Sequence, residues 1–300
     1  MKTISLLKGF MHSIFCKSSF IFKCILTCGL LYLIFQIFFF SFFTVAGPSM
    51  QPELEPGDVI MVWKPIIGAR LFNIFDAIND RPYNIHRLYG NRKIRRNDVL
   101  VFNFPYAKWN KWDNMKLNLL KYYVKRCIAI PGDTINIKDG FYHIKGQNIM
   151  LGNIIMQHSL HNMYQIRSMK NDYYYTLPYD SAYNWNVLNF GPMYIPKRGD
   201  YIDMNRENYI LYKRLIEWET NKNLMYIKGH IMLGGILINR YKFNNNYYFM
   251  GGDNVPFSID SRYWGLIPES FIVGKASLIV KSVNSINQEI NWKRFLKEIQ

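Results

Sequence analysis

"GGDNVPFSIDSRYWGLIP", residues 251–268, sets Gly, Asp, Asn, Ser, Asp, Ser and Arg between two apolar runs, "YYFMGGDN" (247–254) and "SFIVGKASLIVKSV" (270–283). Short polar side chains at this density bond to neighbouring main chain, so the stretch predicts an ordered polar turn joining two strands. A solvated loop has a similar composition. What separates the two is whether Asp260 and Arg262 pair, and whether Ser258 or Ser261 orients an amine.

Outward from this turn the chain reads mainly as β. "DVIMVWK" (58–64), "DVLVFNFP" (98–105) and "YYVKRCIAI" (122–130) are short apolar or β-branched runs, the last stopped by Pro131-Gly132-Asp133. "TINI" and "FYHI" flank Lys138-Asp139-Gly140, a hairpin signal. "MYIKGHIM" (225–232) is a further strand. One helix is predicted near Arg206–Glu219, where Ile210, Leu211, Leu215 and Trp218 recur at helical spacing. A short amphipathic helix is predicted in "QEINWKRFLKEIQ" (288–300). Residues 65–96 read as a polar loop, and residues 146–190 show no clear periodicity.

Cys24 to Phe43, "CILTCGLLYLIFQIFFFSFF", carries no charge and is about 20 residues long, enough to cross a bilayer as a helix. Lys2, Lys8, Lys17 and Lys23 precede it. Glu53, Glu55 and Asp58 follow before the next cation, Lys64. The positive-inside rule then puts the N-terminus in the cytoplasm and the rest of the chain outside. Thr44-Val45-Ala46 resembles a cleavage pattern, but the apolar run exceeds the ~7–15 residues of a cleavable signal, so an uncleaved anchor is expected. The expected organisation is a cytoplasmic segment (1–23), an anchor (24–43), a catalytic core in two parts (44–145 and 247–300) and an inserted subdomain (146–246).

Lys plus Arg number 37 against 21 Asp plus Glu, a net charge of +16. The cations are scattered without a basic block or a basic helix interleaved with aromatics, so nucleic acid is not an expected partner. Cys16, Cys24, Cys28 and Cys127 form no CxxC, and His158 and His161 lack a third ligand. No metal, cofactor or disulfide framework is expected.

Chemistry centres on "VAGPSMQPEL" (45–54), which offers the hydroxyl of Ser49. A serine is a weak nucleophile until a base takes its proton. No histidine sits in a suggestive motif, and a neutral lysine can serve if burial lowers its pKa. In "YYVKRCIAIPGD" (122–133), Lys125 and Arg126 are adjacent on a predicted strand and face opposite ways. Arginine cannot give up its proton, so Lys125 is the candidate base, with Arg126 outward or in an ion pair. Taken alone, such a pair reads as two surface cations.

These stretches together resemble the bacterial type I signal peptidases, membrane-anchored serine proteases with a Ser-Lys dyad. "GPSMQPEL", "GDVIMVWK", "YYVKRCIAIPGD" and "GGDNVPFSIDSRYWGLIP" match the family's blocks in order, followed by "VGKA" (273–276). "NFGPMYIPKRGD" (189–200) looks like the longer Bacteroidota-type form. The resemblance implies a β-rich catalytic core with coiled, partly barrel-like sheets. It implies Ser49 as nucleophile, Lys125 as general base and Ser258 positioning the lysine amine. It further implies Asp260 and Arg262 as a structural ion pair, with Asp253 and Ser261 in the same block, and Met50 beside the substrate pockets. The implied partners are secretory preproteins, the bilayer of the bacterial inner membrane and a nearby export translocon.

Departures from the family pattern are Gly47, where some members carry a serine that donates to the oxyanion, Glu53 in place of a common threonine, and Val255 and Phe257 around Pro256. They keep open an alternative, a catalytically impaired, membrane-anchored β protein that binds secreted chains.

Overall fold

Eight of the strands form one curled antiparallel sheet. They are β1 (Phe40–Thr44), β2 (Asp58–Trp63), β3 (Val99–Asn103), β4 (Tyr122–Ala129), β5 (Tyr247–Gly251), β6 (Ile267–Pro268), β7 (Ile272–Ser282) and β8 (Lys297–Glu298). Their spatial order is β1-β2-β7-β3-β4-β5-β6, with β8 added to β7. The computed structural model describes residues 2–79, 81, 84–108, 111–167, 175–284 and 287–300. Pairing of β7 slips register between Ile272 and Gly274 against β3, and at Ala276/Leu278 and Ile279/Lys281 against β2. Such bulges bend and twist a strand, which lets β7 serve both neighbours and curls the sheet.

The sheet separates two apolar cores. Val99 and Val101 of β3 join Val45, Met50, Leu54, Ile60, Val62 and Ile279 on one face. Leu100 and Phe102 join Cys127, Phe249 and Trp264 on the other. Strand β3 is buried along its whole length, which is why it reads as continuously apolar rather than alternating. Leu160, Leu188, Phe190, Tyr212 and Leu215, all from 146–246, belong to the second core, so that stretch shares the core of the sheet.

Helices α1 (Lys2–Phe38), α2 (Ile154–Arg167) and α3 (Arg206–Thr220) complete the main elements. Helix α3 lies where periodicity predicts it. The Asn205 side chain caps its first turn by accepting from the Asn208 N–H, and Asn221 ends it in the left-handed region at φ 52°. Helix α2 falls in a stretch without clear periodicity. Its inner face carries Gln157, which accepts from the Tyr142 N–H and donates to the Leu151 carbonyl, so polar bonds do part of the work of an apolar stripe. Residues 168–174 of the same stretch lie outside the described residues.

The apolar run 24–43 divides. The helix ends at Phe38, with Phe20–Phe38 as a 19-residue span of mean hydropathy 2.0, and residues 40–44 form β1. Strand β1 pairs with β2 from Phe40↔Trp63 to Thr44↔Val59. Two causes act here. Aromatic side chains favour the pleated strand, and the Lys64 amine caps the helix by donating to the carbonyls of Gln36 (2.5 Å) and Ile37 (3.3 Å).

Three other expectations are corrected. Residues 288–300 form a short turn, Trp292–Arg294, and β8 rather than a helix, because Arg294 is drawn into an ion pair with Asp58 and the chain then pairs with β7. "MYIKGHIM" is a hairpin, Leu224–Ile227 with His230–Leu233, turned at Lys228 and Gly229. The 65–96 loop contains a two-residue ladder, Arg70–Leu71 with His86–Arg87, and a short helix, Ile74–Ile78; residues 80, 82 and 83 lie outside the described residues. Arg87 fastens it by donating to the carbonyls of Gly68, Glu269 and Ile272. The hairpin at Asp139-Gly140 forms as read, with both residues at positive φ.

Candidate active site

Ser49 sits on a single 3₁₀ turn, Pro48–Met50, shortly after β1, and Lys125 lies in the middle of β4. They are 76 residues apart, and the Lys125 amine donates to the Ser49 hydroxyl. Lys125 is 2% exposed. Burial pulls its amine down to about 8, against the opposing effect of Asp260 and Asp253. Charge is thus disfavoured on the amine that touches the serine oxygen.

The polar turn of residues 252–262 is ordered, as its composition predicts. Asp260 and Arg262 form a fully buried ion pair with Nε–Oδ1 and Nη2–Oδ2 distances of 2.8 Å. Burial alone would raise the Asp260 carboxyl, but the Arg262 guanidinium holds it below the usual carboxylate range. Asp260 also accepts from the Gly252 N–H, and Arg262 donates to the carbonyls of Val255 and Ser258. The Ser261 hydroxyl accepts from the Met250 N–H. Arg126 is in an ion pair, and its partner is Asp253, with two contacts of 2.6 Å.

Two expected residues lie differently. Ser258 is buried beside Gly252, but its hydroxyl has no hydrogen-bond partner among the described residues, because the Lys125 amine is directed at Ser49. Met50 is fully buried in the core with Val45 and Leu54 and does not line the groove at Ser49. Asn254, not singled out from sequence, ties the turn to the serine. Its N–H donates to the Ser49 carbonyl and its side chain to the Pro48 carbonyl, each at 3.1 Å. Its position in the "GGDN" run is the signal that could have found it.

A groove of about 550 Å³ opens at this contact, lined by residues 43–47, Ser49, Ile60, Val101 and residues 120–125. Two strand edges border it. Strand β1 ends the sheet, and β4 pairs with β5 only from Arg126 onward, so residues 122–125 have an open edge among the described residues. The rings of Phe43 and Tyr122 meet across the groove at 4.8 Å. Among the described residues no group of three His, Cys, Asp or Glu is placed to hold a metal ion.

A curled β fold here holds a serine hydroxyl against a buried lysine beside an apolar groove, so that a candidate nucleophile and a candidate base meet. The profile of the signal peptidase family, peptidase S26, matches residues 18–281, and the chain belongs to that family. It is a serine hydrolase of the signal peptidase I kind. The signal peptidase I of Buchnera aphidicola subsp. Baizongia pistaciae is 27% identical over 265 residues, covering 83% of this chain and 72% of that protein. The Helicobacter pylori signal peptidase I is 25% identical over 291 residues, 90% of each chain. A crystal structure of a signal peptidase I from Enterococcus faecalis V583 is 19% identical, covers 62% of this chain and 97% of its own, and has a TM-score of 0.29.

Gly252 gives a direct test of this geometry. A Cβ there would collide with the Ser258 side chain and the Ser49 carbonyl. Gly252→Ala is therefore expected to displace the serine turn and lower kcat at least about tenfold, since small misplacements of reacting groups are costly. Overpacking should cost about 1–3 kcal/mol of stability. Steady-state cleavage and thermal melts measure the two effects.

Proposed function

We propose that this chain is a membrane-anchored endopeptidase that removes N-terminal signal peptides from exported preproteins, with Ser49 as nucleophile and Lys125 as general base. The observation that carries the proposal is the hydrogen bond from the buried Lys125 amine to the Ser49 hydroxyl at the head of the groove.

An extended segment of preprotein fits between the open edges of β1 and β4 by strand addition, main chain to main chain. Val101, Val124 and Ile60 then face its side chains, and the Phe43–Tyr122 ring pair narrows the groove, so small residues are favoured before the scissile bond. Neutral Lys125 takes the Ser49 proton as the oxygen attacks the scissile carbonyl. The Ser49 N–H donates to the resulting oxyanion. Gly47 has no side chain to add a second donor. Protonated Lys125 returns the proton to the leaving amine. Water, deprotonated by the same lysine, then releases the signal peptide from the acyl-enzyme. Ser258, buried close by with a hydroxyl that has no partner among the described residues, is placed to orient the amine during these transfers.

The location supports this reading. Phe20–Phe38 is mainly apolar and none of its residues is buried, which suits lipid. The four early lysines orient its N-terminus to the cytoplasm of a bacterial inner membrane. Ser49 then lies eleven residues past Phe38, near the outer face where signal peptides emerge from an export translocon.

The test is incubation of the full chain, in detergent or vesicles, with a preprotein, and N-terminal sequencing of the product. Cleavage after small residues is expected; an uncut preprotein sinks the reading. Only neutral Lys125 can accept a proton, so the rate should rise with pH and level off above about 8. At pH 7 roughly one lysine in ten is neutral and at pH 9 roughly nine in ten, so that change should raise the rate about tenfold. A rate flat in pH across that range would contradict the base assignment.

A further inference from the structure

We propose that residues 291–300 are a positioning strap that sets the serine turn against the lysine strand, with Glu53 as its latch. The inference rests on the endopeptidase reading above.

Ser49 and Lys125 belong to separate segments, so their contact depends on whatever fixes the turn relative to β4. On one side Asn254 holds the carbonyls of Pro48 and Ser49. On the other side the strap closes the circuit. The Gln300 N–H donates to the Glu53 carboxylate (3.0 Å), four residues after Ser49. The Gln300 main-chain oxygen accepts from Arg126 (2.6 Å), the residue next to Lys125. Arg126 in turn grips Asp253, the neighbour of Asn254. A closed ring of polar contacts thus runs from the serine turn through Glu53, Gln300, Arg126 and Asp253–Asn254 back to Ser49.

The strap is itself anchored at three points. Arg294, buried, pairs with buried Asp58 through contacts of 3.0 and 2.6 Å and donates to the Glu53 carbonyl at 2.8 Å. Strand β8 pairs with β7 at Leu278↔Glu298 and Ile279↔Lys297. Ile299 is buried in the same core as Val45, Met50 and Leu54. These anchors leave Gln300 little freedom, so its two main-chain bonds transmit position from the strand to the turn. Glu53 is a departure from the family pattern, and the ring supplies a use for it: a long side chain with an acceptor at its tip, where threonine would fall short.

The test compares Glu53→Ala and Glu53→Gln in the full chain. Glutamine keeps an acceptor for the Gln300 N–H and loses the charge; alanine loses both. The Glu53 side chain is 17% exposed and also lies 3.6 Å from the Lys297 amine, so neither variant opens a large cavity. Glu53→Ala should lower kcat on a preprotein about 10- to 100-fold, the cost of misplacing a reacting group by a fraction of a side-chain bond, with KM within about twofold. Glu53→Gln should retain kcat within about twofold. Wild-type rates from Glu53→Ala, equal losses in both variants, or a loss that tracks the folded fraction in a thermal melt would each overturn the strap while leaving the endopeptidase reading intact. A wild-type chain that does not cut overturns both.

Discussion

Lys125→Met is expected to abolish preprotein cleavage and, in the same protein, to raise thermal stability at neutral pH. Methionine matches the lysine stem in length and removes the amine. The substitution takes away the amine bonded to the Ser49 hydroxyl, and with it the proposed proton acceptor. Losses of about 10⁴-fold or more are typical when one member of such a catalytic unit is removed. The stability effect has the opposite sign. Burial lowers the Lys125 pKa from 10.5 to about 8. Between those values the unfolded chain holds a proton that the folded chain has released, so wild-type stability rises with pH across that window. Below about pH 8 the folded protein carries a buried charge at a cost of roughly 3 kcal/mol. Methionine carries no such cost, so the variant should melt several degrees higher at pH 7, and the difference should shrink as the pH approaches 10.5. Cleavage assays and melts at pH 7 and pH 10 check both halves. A variant that cuts at the wild-type rate would show that Lys125 is not the base.

Ser49→Ala should eliminate cleavage to a similar extent without eliminating binding. The hydroxyl supplies the nucleophile, while the groove is built from the edges of β1 and β4 and from apolar side chains that the substitution leaves in place. Affinity for a preprotein should therefore stay within about twofold. The Lys125 amine loses its acceptor, and an unsatisfied buried donor should cost about 1–3 kcal/mol. Pull-down or fluorescence titration of the variant with intact preprotein gives the affinity, and sequencing of the recovered chain shows whether it was cut. Unchanged processing would transfer the nucleophile elsewhere. A wild-type chain that binds but never cuts would favour the alternative of a membrane-anchored binding protein.

The legible parts of the fold were those carried by local pattern. Apolar runs bounded by Pro, Gly and Asp marked the strands, and helical spacing marked α3. Less legible were elements whose conformation answers to distant partners. Residues 288–300 have the spacing of an amphipathic helix, but Arg294 finds Asp58, 236 residues away, and that pairing outweighs helix propensity in so short a segment. Residues 40–44 continue the apolar run of the anchor, but pairing with the edge of β2 and the Lys64 cap turn them into a strand. The family resemblance implies a place for Met50 beside the substrate pockets. On a tight turn adjacent side chains diverge, and Met50 points into the core.

The amino-acid sequence by itself determined the chemistry on offer: an apolar span with cations before it, one serine after it, a Lys-Arg pair on a strand where only the lysine can lose a proton, and a polar turn rich in backbone-binding side chains. Residue type and near-neighbour spacing suffice for these. Only the tertiary structure decided that Lys125 meets Ser49, that Arg126 turns to Asp253, that the Ser258 hydroxyl is buried without a partner among the described residues and that Glu53 receives the chain at Gln300. Those contacts join segments up to 247 residues apart. They depend on the curl of one sheet, which the bulges of β7 impose and which no local stretch of sequence encodes.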